Sequence, residues 1–153
     1  LPFPLLEKTH LIIVGGDDAS CYLRLAKKLK VHERVQFLGA KKNVFEYMFA
    51  ADLLLHPAYQ EAAGKVLLEA MCCGLPVLTT ARCGYAEHIE KAKAGIALPY
   101  VFTDIDLEKT LEKMLISEDK AAWKNRALAY SKENSQGNLI REAANVIESM
   151  AEA

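Results

Sequence analysis

Two glutamates, Glu61 and Glu69, bracket a short stretch without bulky side chains in the middle of the chain. Residues 62–64 are small, and the residues after them are apolar at helical spacing, which predicts a turn into a helix. The first turn of a helix presents unpaired N–H groups and the positive end of the helix dipole, which together bind phosphate groups. Carboxylates accept hydrogen bonds from hydroxyls. The pattern therefore predicts a diphosphate site with a hydroxyl-binding group on either side.

The spacing of the two carboxylates fits a ligand that carries two sugars. Glu69 lies roughly 7 Å along the predicted helix axis from its start, near enough for a ribose attached to the phosphate. Glu61 precedes the helix, on the side where a second sugar would lie. An alternative stays open at this point, in which Glu61 is a solvated loop carboxylate and Glu69 a helix-surface residue.

Short apolar runs alternate with longer amphipathic stretches, which predicts an α/β fold, a parallel sheet with helices on both faces. The predicted strands are residues 10–14, 35–38, 53–56, 76–79 and 95–98. Ligands of open parallel sheets bind beyond the carboxyl ends of the strands. Because the third strand ends just before Glu61, the candidate site lies at the expected edge of the sheet.

Helix-start signals recur between these strands. Asp17 or Asp18 is the predicted N-cap of a helix between the first two strands. Asn43 with Glu46, and Thr103 with Asp106, have the spacing of capping boxes. Two further helices are predicted at about residues 118–132 and 138–150. No internal repeat or linker interrupts the pattern, which favours one domain over residues 1–153.

Composition excludes several classes of protein. The chain has 19 Lys and Arg against 20 Asp and Glu, a formal charge of −1. No positive electrostatic field that would attract nucleic acid is therefore expected. No apolar run approaches the length of a membrane span and the start lacks a signal peptide, which predicts a soluble, cytoplasmic protein. The four cysteines have no metal-ligand spacing, which predicts reduced thiols and no metal site. They are Cys21, Cys72, Cys73 and Cys83.

The stretch from Glu61 to Val77 resembles a region of the retaining glycosyltransferases of family 4, the glycosyl transferases group 1, in which two glutamates are separated by seven residues. The longer stretch ADLLLHPAYQEAAGKVLLEAMCCGLPVLTTARCGYAEHI is more similar still to the lipopolysaccharide core glucosyltransferase branch of that family. The resemblance implies a Rossmann-like, C-terminal half of a GT-B fold. Residues 1–153 would form the nucleotide-sugar domain, with the acceptor-binding domain absent from this chain.

Residue roles follow from the resemblance position by position. Glu61 matches the catalytic glutamate that orients the donor sugar, and Glu69 matches the glutamate that holds the ribose. Backbone groups facing the donor sugar and the diphosphate are matched by Ala62, Ala63, Gly64, Lys65 and Val66. Ala63 stands where the family often has phenylalanine, and the core glucosyltransferase branch shares a small residue there.

Three more positions resemble donor-binding residues. Ala40 and Lys41 match the turn that holds the nucleotide base, and Gly16 matches a loop near the phosphates. A solvated surface lysine and an ordinary strand-to-helix glycine are the alternatives.

The resemblance also implies a mechanism and partners. It implies that sugar transfer retains the anomeric configuration and uses no metal. No cofactor is expected either, because the UDP-sugar is a substrate. The acceptor is a glycolipid of the lipopolysaccharide core, which places the intact enzyme in the cytoplasm, peripheral to the inner face of the inner membrane. UDP-glucose is expected from the branch alone, since other nucleotide sugars would fit the same two carboxylates. A non-catalytic nucleotide-sugar-binding or protein-interaction domain is the alternative.

By the resemblance, a central strand of the family sheet, and an Arg and a Lys that neutralise the diphosphate, are expected to be absent from this sequence. A gap in the sheet with unpaired strand edges is therefore expected. Through these edges the isolated chain would form a homodimer, or a segment would fill the gap. Without the two basic residues, the isolated chain is expected to bind UDP weakly and to transfer no sugar.

Overall fold

A computed structural model describes residues 3–134 of the chain, so the predicted helix at residues 138–150 lies outside the described residues. The structure forms two compact units, Leu1–Val44 and Phe45–Ala153. Within residues 3–134, every strand pairs in parallel with its neighbours. The predicted α/β class is therefore confirmed.

The first unit contains a two-stranded sheet. Its elements are α1 (Phe3–Leu6), β1 (Leu11–Ile13), α2 (Ser20–Lys28) and β2 (Val35–Phe37), with a 3₁₀ turn at His32–Arg34 before β2. β1 and β2 are parallel, with Leu11 beside Val35 and Ile13 beside Phe37.

The second unit contains a three-stranded sheet in the order β3-β4-β5. Its elements are α3 (Val44–Ala50), β3 (Leu54–His56), α4 (Lys65–Cys72), β4 (Val77–Thr80), α5 (Ala86–Ala92), β5 (Gly95–Leu98), α6 (Asp104–Ile116) and α7 (Lys120–Glu133). Among the described residues the strands thus form two sheets and not one continuous sheet, which agrees with the expected interruption.

The core of the second unit is built on β4, whose four residues are all buried. Leu78 of β4 packs with Leu98 of β5, Met114 of α6 and Trp123 of α7. The apolar run that predicted this strand is thus explained by burial on both faces. β4 also carries two threonines, Thr79 and Thr80, at its carboxyl end, where they face the loop that contains Glu61.

The helix starts differ in detail from the predictions. The capping box of Thr103 and Asp106 is present, with reciprocal hydrogen bonds before α6. The N-cap of α2 is Ala19 and neither predicted aspartate. Asp18 still satisfies the first turn, because its carboxylate accepts hydrogen bonds from the Ser20 N–H at 2.9 Å and the Ser20 hydroxyl at 2.6 Å.

Candidate functional site

The loop that carries Glu61 leaves the end of β3 and is anchored to β4 at its start. The Thr79 hydroxyl donates to the His56 carbonyl at 3.2 Å, and the Thr80 hydroxyl donates to the Ala58 carbonyl at 2.6 Å. Both threonines are fully buried, so these bonds satisfy hydroxyls that water does not reach. The side chains of the buried strand thereby fix where the loop begins.

Further along, the loop pairs with the segment that follows β4. Glu61 and Cys83 form an isolated parallel bridge. The Gly84 N–H donates to the Glu61 carbonyl at 3.1 Å, and the Tyr85 N–H donates to the Ala63 carbonyl at 2.9 Å. The segment after β4 therefore holds the backbone from Glu61 to Ala63 in place through several hydrogen bonds.

Two glycines make this close pairing possible. Gly64 has a φ of 76°, a left-handed conformation that strains any other residue, and a side-chain carbon there would overlap the Cys83 Sγ. At Gly84 a side-chain carbon would overlap the Ala62 carbonyl oxygen. Gly64 and Gly84 are thus required by backbone packing, whether or not a ligand is bound.

Gly64 is also the N-cap of α4, so the helix begins next to the small residues where the sequence predicts a turn into a helix. Having no side chain, it leaves the first amides of the helix without the usual capping oxygen. The Leu67 N–H bonds back to the Gly64 carbonyl at 3.0 Å, whereas helix geometry provides no acceptor in a preceding turn for the amides of Lys65 and Val66. The start of α4 can therefore receive an anion.

The two carboxylates lie on either side of this helix start. Glu61 is half-buried, and its Oε1 accepts a long hydrogen bond, 3.4 Å, from the Ala63 N–H. Glu69 is half-buried within α4. Burial, with added repulsion from Cys72 and Glu69, raises the pKa of the Cys73 thiol to about 12. Because it is half-buried, Glu69 is not a fully solvated surface residue.

The remaining predicted donor-binding residues belong to the first unit. The Gly15 N–H donates to the Gly39 carbonyl at 3.1 Å. A side-chain carbon at Gly16 would lie 3.7 Å from the Ala40 Cβ, so these two turns come together. Lys41 is exposed. The structure thus brings Gly16 and Ala40 together within this unit, and the donor-binding roles of all three residues stay predictions.

A cavity of about 540 Å³ opens beside Glu61. Its lining includes Gln60, Arg82 and Tyr100, together with two glutamates of α5. The Arg82 Nε donates to the Tyr100 carbonyl at 2.7 Å, and the guanidinium lies 4.5 Å from the centre of the Tyr100 ring. The hydrogen bond and the cation–π contact fix this cation at the cavity wall.

Sequence reasoning underestimated the segment after β4. The sequence pattern predicted neither α5 nor the pairing of Cys83 with Glu61. The available signal was the glycine at position 84, four residues beyond the end of a buried strand. At that position a glycine indicates close approach of another backbone segment.

The histidine at the end of β3, the cysteines and the acidic groups elsewhere form no second site among the described residues. The His56 Nε2 is buried and has no hydrogen-bond partner among the residues that the structure describes. No group of His, Cys, Asp and Glu within residues 3–134 has the arrangement of a metal site. The four cysteines, all in this range, are free thiols. No helix in the described part is long and apolar enough to cross a membrane.

Comparison with known proteins gives one family. Residues 3–131 match the model of the family described as glycosyl transferases group 1. The chain is 45% identical over 148 residues to the lipopolysaccharide glucosyltransferase WaaG of Escherichia coli (strain K12), covering 96% of this chain and 40% of that protein. It is also 41% identical over 86 residues to the N-acetyl-alpha-D-glucosaminyl L-malate synthase of Bacillus anthracis, covering 56% of this chain and 23% of that protein.

Solved structures give the same fold. The crystal structure of WaaG, a glycosyltransferase involved in lipopolysaccharide biosynthesis, aligns with a TM-score of 0.87 at 44% identity, covering 96% of this chain and 40% of that chain. Anabaena Alr3699/HepE in complex with UDP and glucose aligns with a TM-score of 0.73 at 24% identity, covering 95% and 42% of the two chains. At that identity the second likeness concerns the fold alone. The chain spans at most about two fifths of the curated relatives described above.

Proposed function

Because the chain belongs to the glycosyl transferases group 1 family, we propose that it supplies the donor-binding half of a retaining glycosyltransferase. The complete enzyme transfers glucose from UDP-glucose to an acceptor of the lipopolysaccharide core. The observation that carries the proposal is the geometry at α4. Along the chain, the half-buried Glu61, the uncapped start of α4 and the half-buried Glu69 follow one another in the order that a sugar, a diphosphate and a ribose require.

Each part of this site has a separate task in the proposed reaction. The amides of Lys65 and Val66, with the positive end of the α4 dipole, stabilise the charge that grows on the departing UDP. Glu61 accepts hydrogen bonds from donor-sugar hydroxyls and holds the anomeric carbon toward the acceptor. Glu69 accepts hydrogen bonds from the ribose. Neither carboxylate acts as a nucleophile, so the acceptor attacks on the face from which UDP leaves.

The proposed transfer needs neither a metal nor an organic cofactor, since the helix start and basic groups of the complete enzyme neutralise the diphosphate. This chain alone is then expected to bind UDP weakly and to transfer no sugar. Glucose as the transferred sugar is supported by the likeness to the lipopolysaccharide glucosyltransferase WaaG. The shorter match to an N-acetylglucosaminyl malate synthase indicates that the same elements can serve other donors. Because the proposed acceptor is a glycolipid, we expect the complete enzyme to be cytoplasmic and peripheral to the inner membrane.

Replacing Glu69 with alanine tests the site. We expect UDP affinity of the full-length protein, measured by calorimetry, to fall by about 10–100-fold, because a charge-assisted hydrogen bond is worth about 1.5–3 kcal/mol. Glu112→Ala is the matched control, since Glu112 is also a half-buried helix glutamate but lies in α6. Equal UDP affinity in the wild type and Glu69→Ala would show that the ribose lies elsewhere.

We further propose that this 153-residue chain, when isolated, pairs with a second copy through the sheet of its first unit. Leu11 and Ile12 of β1 are 40% and 49% exposed, and Leu25 and Leu29 at α2 are 51% and 60% exposed. Exposed apolar side chains, together with a strand edge that is unpaired among residues 3–134, favour association.

The association has a direct measurement. Light scattering over a series of concentrations is expected to show a dimer, and Ile12→Lys is expected to shift it toward monomer. A monomer at every concentration would contradict the pairing and would favour an intramolecular segment covering the edge.

A further inference from the structure

Cys83 fills the space beneath the turn that joins Glu61 to α4. Its side chain is buried, with 3% of its surface exposed. Its Sγ occupies the volume that a side chain at Gly64 would need, and it donates to the Ala63 carbonyl at 3.6 Å. The same residue forms the backbone bridge with Glu61. One small side chain therefore contacts both residues of the turn that leads into α4.

The chemistry of the thiol suits a structural task. Burial raises the pKa of Cys83, hydrogen bonds with the Tyr85 backbone and Thr79 lower it, and the nearby charge of Glu61 raises it. The net direction is upward, so the group stays a neutral thiol and keeps its proton for the Ala63 carbonyl. A neutral, buried thiol is a poor nucleophile.

The size of the side chain matters as much as its proton. A residue larger than cysteine would press on Gly64, where the backbone already has a positive φ. Alanine would leave the turn unsupported and the Ala63 carbonyl with one hydrogen bond fewer. The carbonyl would keep its bond from the Tyr85 N–H at 2.9 Å, so the loop would remain folded but less fixed.

We propose that Cys83 is a positioning residue for sugar transfer. Through its contacts with Gly64 and Ala63 it fixes the loop backbone, so that Glu61 and the first amides of α4 can bind the same donor molecule. The inference rests on the proposed function and adds to it a residue that contacts no substrate. A displacement of the order of 1 Å at such a site can reduce the rate about 100-fold while leaving binding largely intact.

Cys73 provides a matched control within the chain. It is a second buried thiol, with 5% of its surface exposed, but it is the C-cap of α4 at the opposite end of that helix. Alanine at either position removes the same atoms from a buried environment. A purely structural effect would lower the Tm in both variants, whereas a positioning effect separates them in kcat.

The test compares Cys83→Ala, Cys83→Ser and Cys73→Ala in the full-length protein, with kcat, KM for the UDP-sugar and Tm measured for each. We expect Cys83→Ala to lower kcat by about 10–100-fold with a smaller change in KM. Serine restores a donor to Ala63, so its kcat is expected to lie between those of alanine and the wild type. Cys73→Ala is expected to keep the wild-type kcat.

Two results would overturn the inference. One is a wild-type kcat in folded Cys83→Ala; the other is a loss of kcat in both alanine variants that follows their loss of Tm. If Cys83→Ala does not fold, Cys83→Ser decides, since a reduced kcat at wild-type Tm supports the inference and a wild-type kcat refutes it. The proposed function fails separately, through an absence of transfer in the wild type itself.

Discussion

Replacing Gly64 with alanine is expected to destabilise the protein by about 2–5 kcal/mol and to abolish tight donor binding. Two costs add at this position. The left-handed φ of 76° strains a residue with a side chain, and the new carbon overlaps the Cys83 Sγ. Relieving the overlap would push the start of α4 away from the loop, which disrupts the amides proposed to hold the diphosphate. Chemical denaturation and UDP calorimetry measure the two effects.

Gly74 at the opposite end of α4 is the control, because it also has a left-handed φ, of 67°. A side-chain carbon there would approach Lys124 and Leu128 at 3.0 and 3.1 Å, and these flexible side chains can move aside. Gly74→Ala is therefore expected to lose less stability and to keep UDP binding.

A double mutant separates the two costs at Gly64. Adding Cys83→Ala to Gly64→Ala removes the overlap but not the backbone strain, so the pair is expected to be less destabilised than the sum of the single variants. Strictly additive losses in the free energy of unfolding would show that the thiol does not clash with a side chain at position 64.

Glu61→Gln is expected to lower kcat by about 10–100-fold while UDP affinity stays near the wild-type value. Glutamine keeps the shape of the side chain but loses the charge that strengthens hydrogen bonds to donor hydroxyls. UDP itself carries no transferred sugar, so its affinity does not depend on Glu61. Steady-state kinetics with UDP-glucose and calorimetry with UDP measure the two quantities.

The contrast with Glu69 makes this result specific, because Glu69→Ala is expected to weaken UDP binding and Glu61→Gln is not. Glu112→Gln serves as the charge-matched control and should change neither quantity. If Glu61→Gln weakens UDP binding as strongly as it lowers kcat, Glu61 contacts the nucleotide and the assigned roles are wrong. UDP binding by a full-length wild type that transfers no sugar would favour a non-catalytic binding domain.

Local signals predicted much of the fold. The strands were placed to within one residue at either end, because each is a short apolar run closed by Gly, Pro or a polar residue. The capping box of Thr103 and the start of α4 after Gly64 were also found, since both depend on neighbouring residues alone. The N-cap of α2 lies one residue later than predicted, because the Asp18 carboxylate accepts a hydrogen bond from the Ser20 N–H of the first turn although Asp18 precedes the N-cap.

Features that depend on distant residues were missed. The bridge between Glu61 and Cys83 joins the loops that follow two neighbouring strands, and nothing in the sequence near either residue specifies it. Helix α5 was missed because its buried positions are few and two are alanines, Ala86 and Ala92, which give a weak apolar pattern. For the candidate site, the residue pattern identified Glu61 and Glu69 but left their roles open. Family resemblance supplied those roles.

The chain contains one tryptophan, and its position in the core of the second unit gives the molecule an internal optical probe. Trp123 is 8% exposed and packs with β4, the strand whose threonines anchor the loop of Glu61. Emission excited at wavelengths that only indole absorbs therefore originates in the unit that carries both glutamates. A red shift of the tryptophan emission during denaturation would record the loss of that core. The unit ending at Val44 has no tryptophan and contributes no signal.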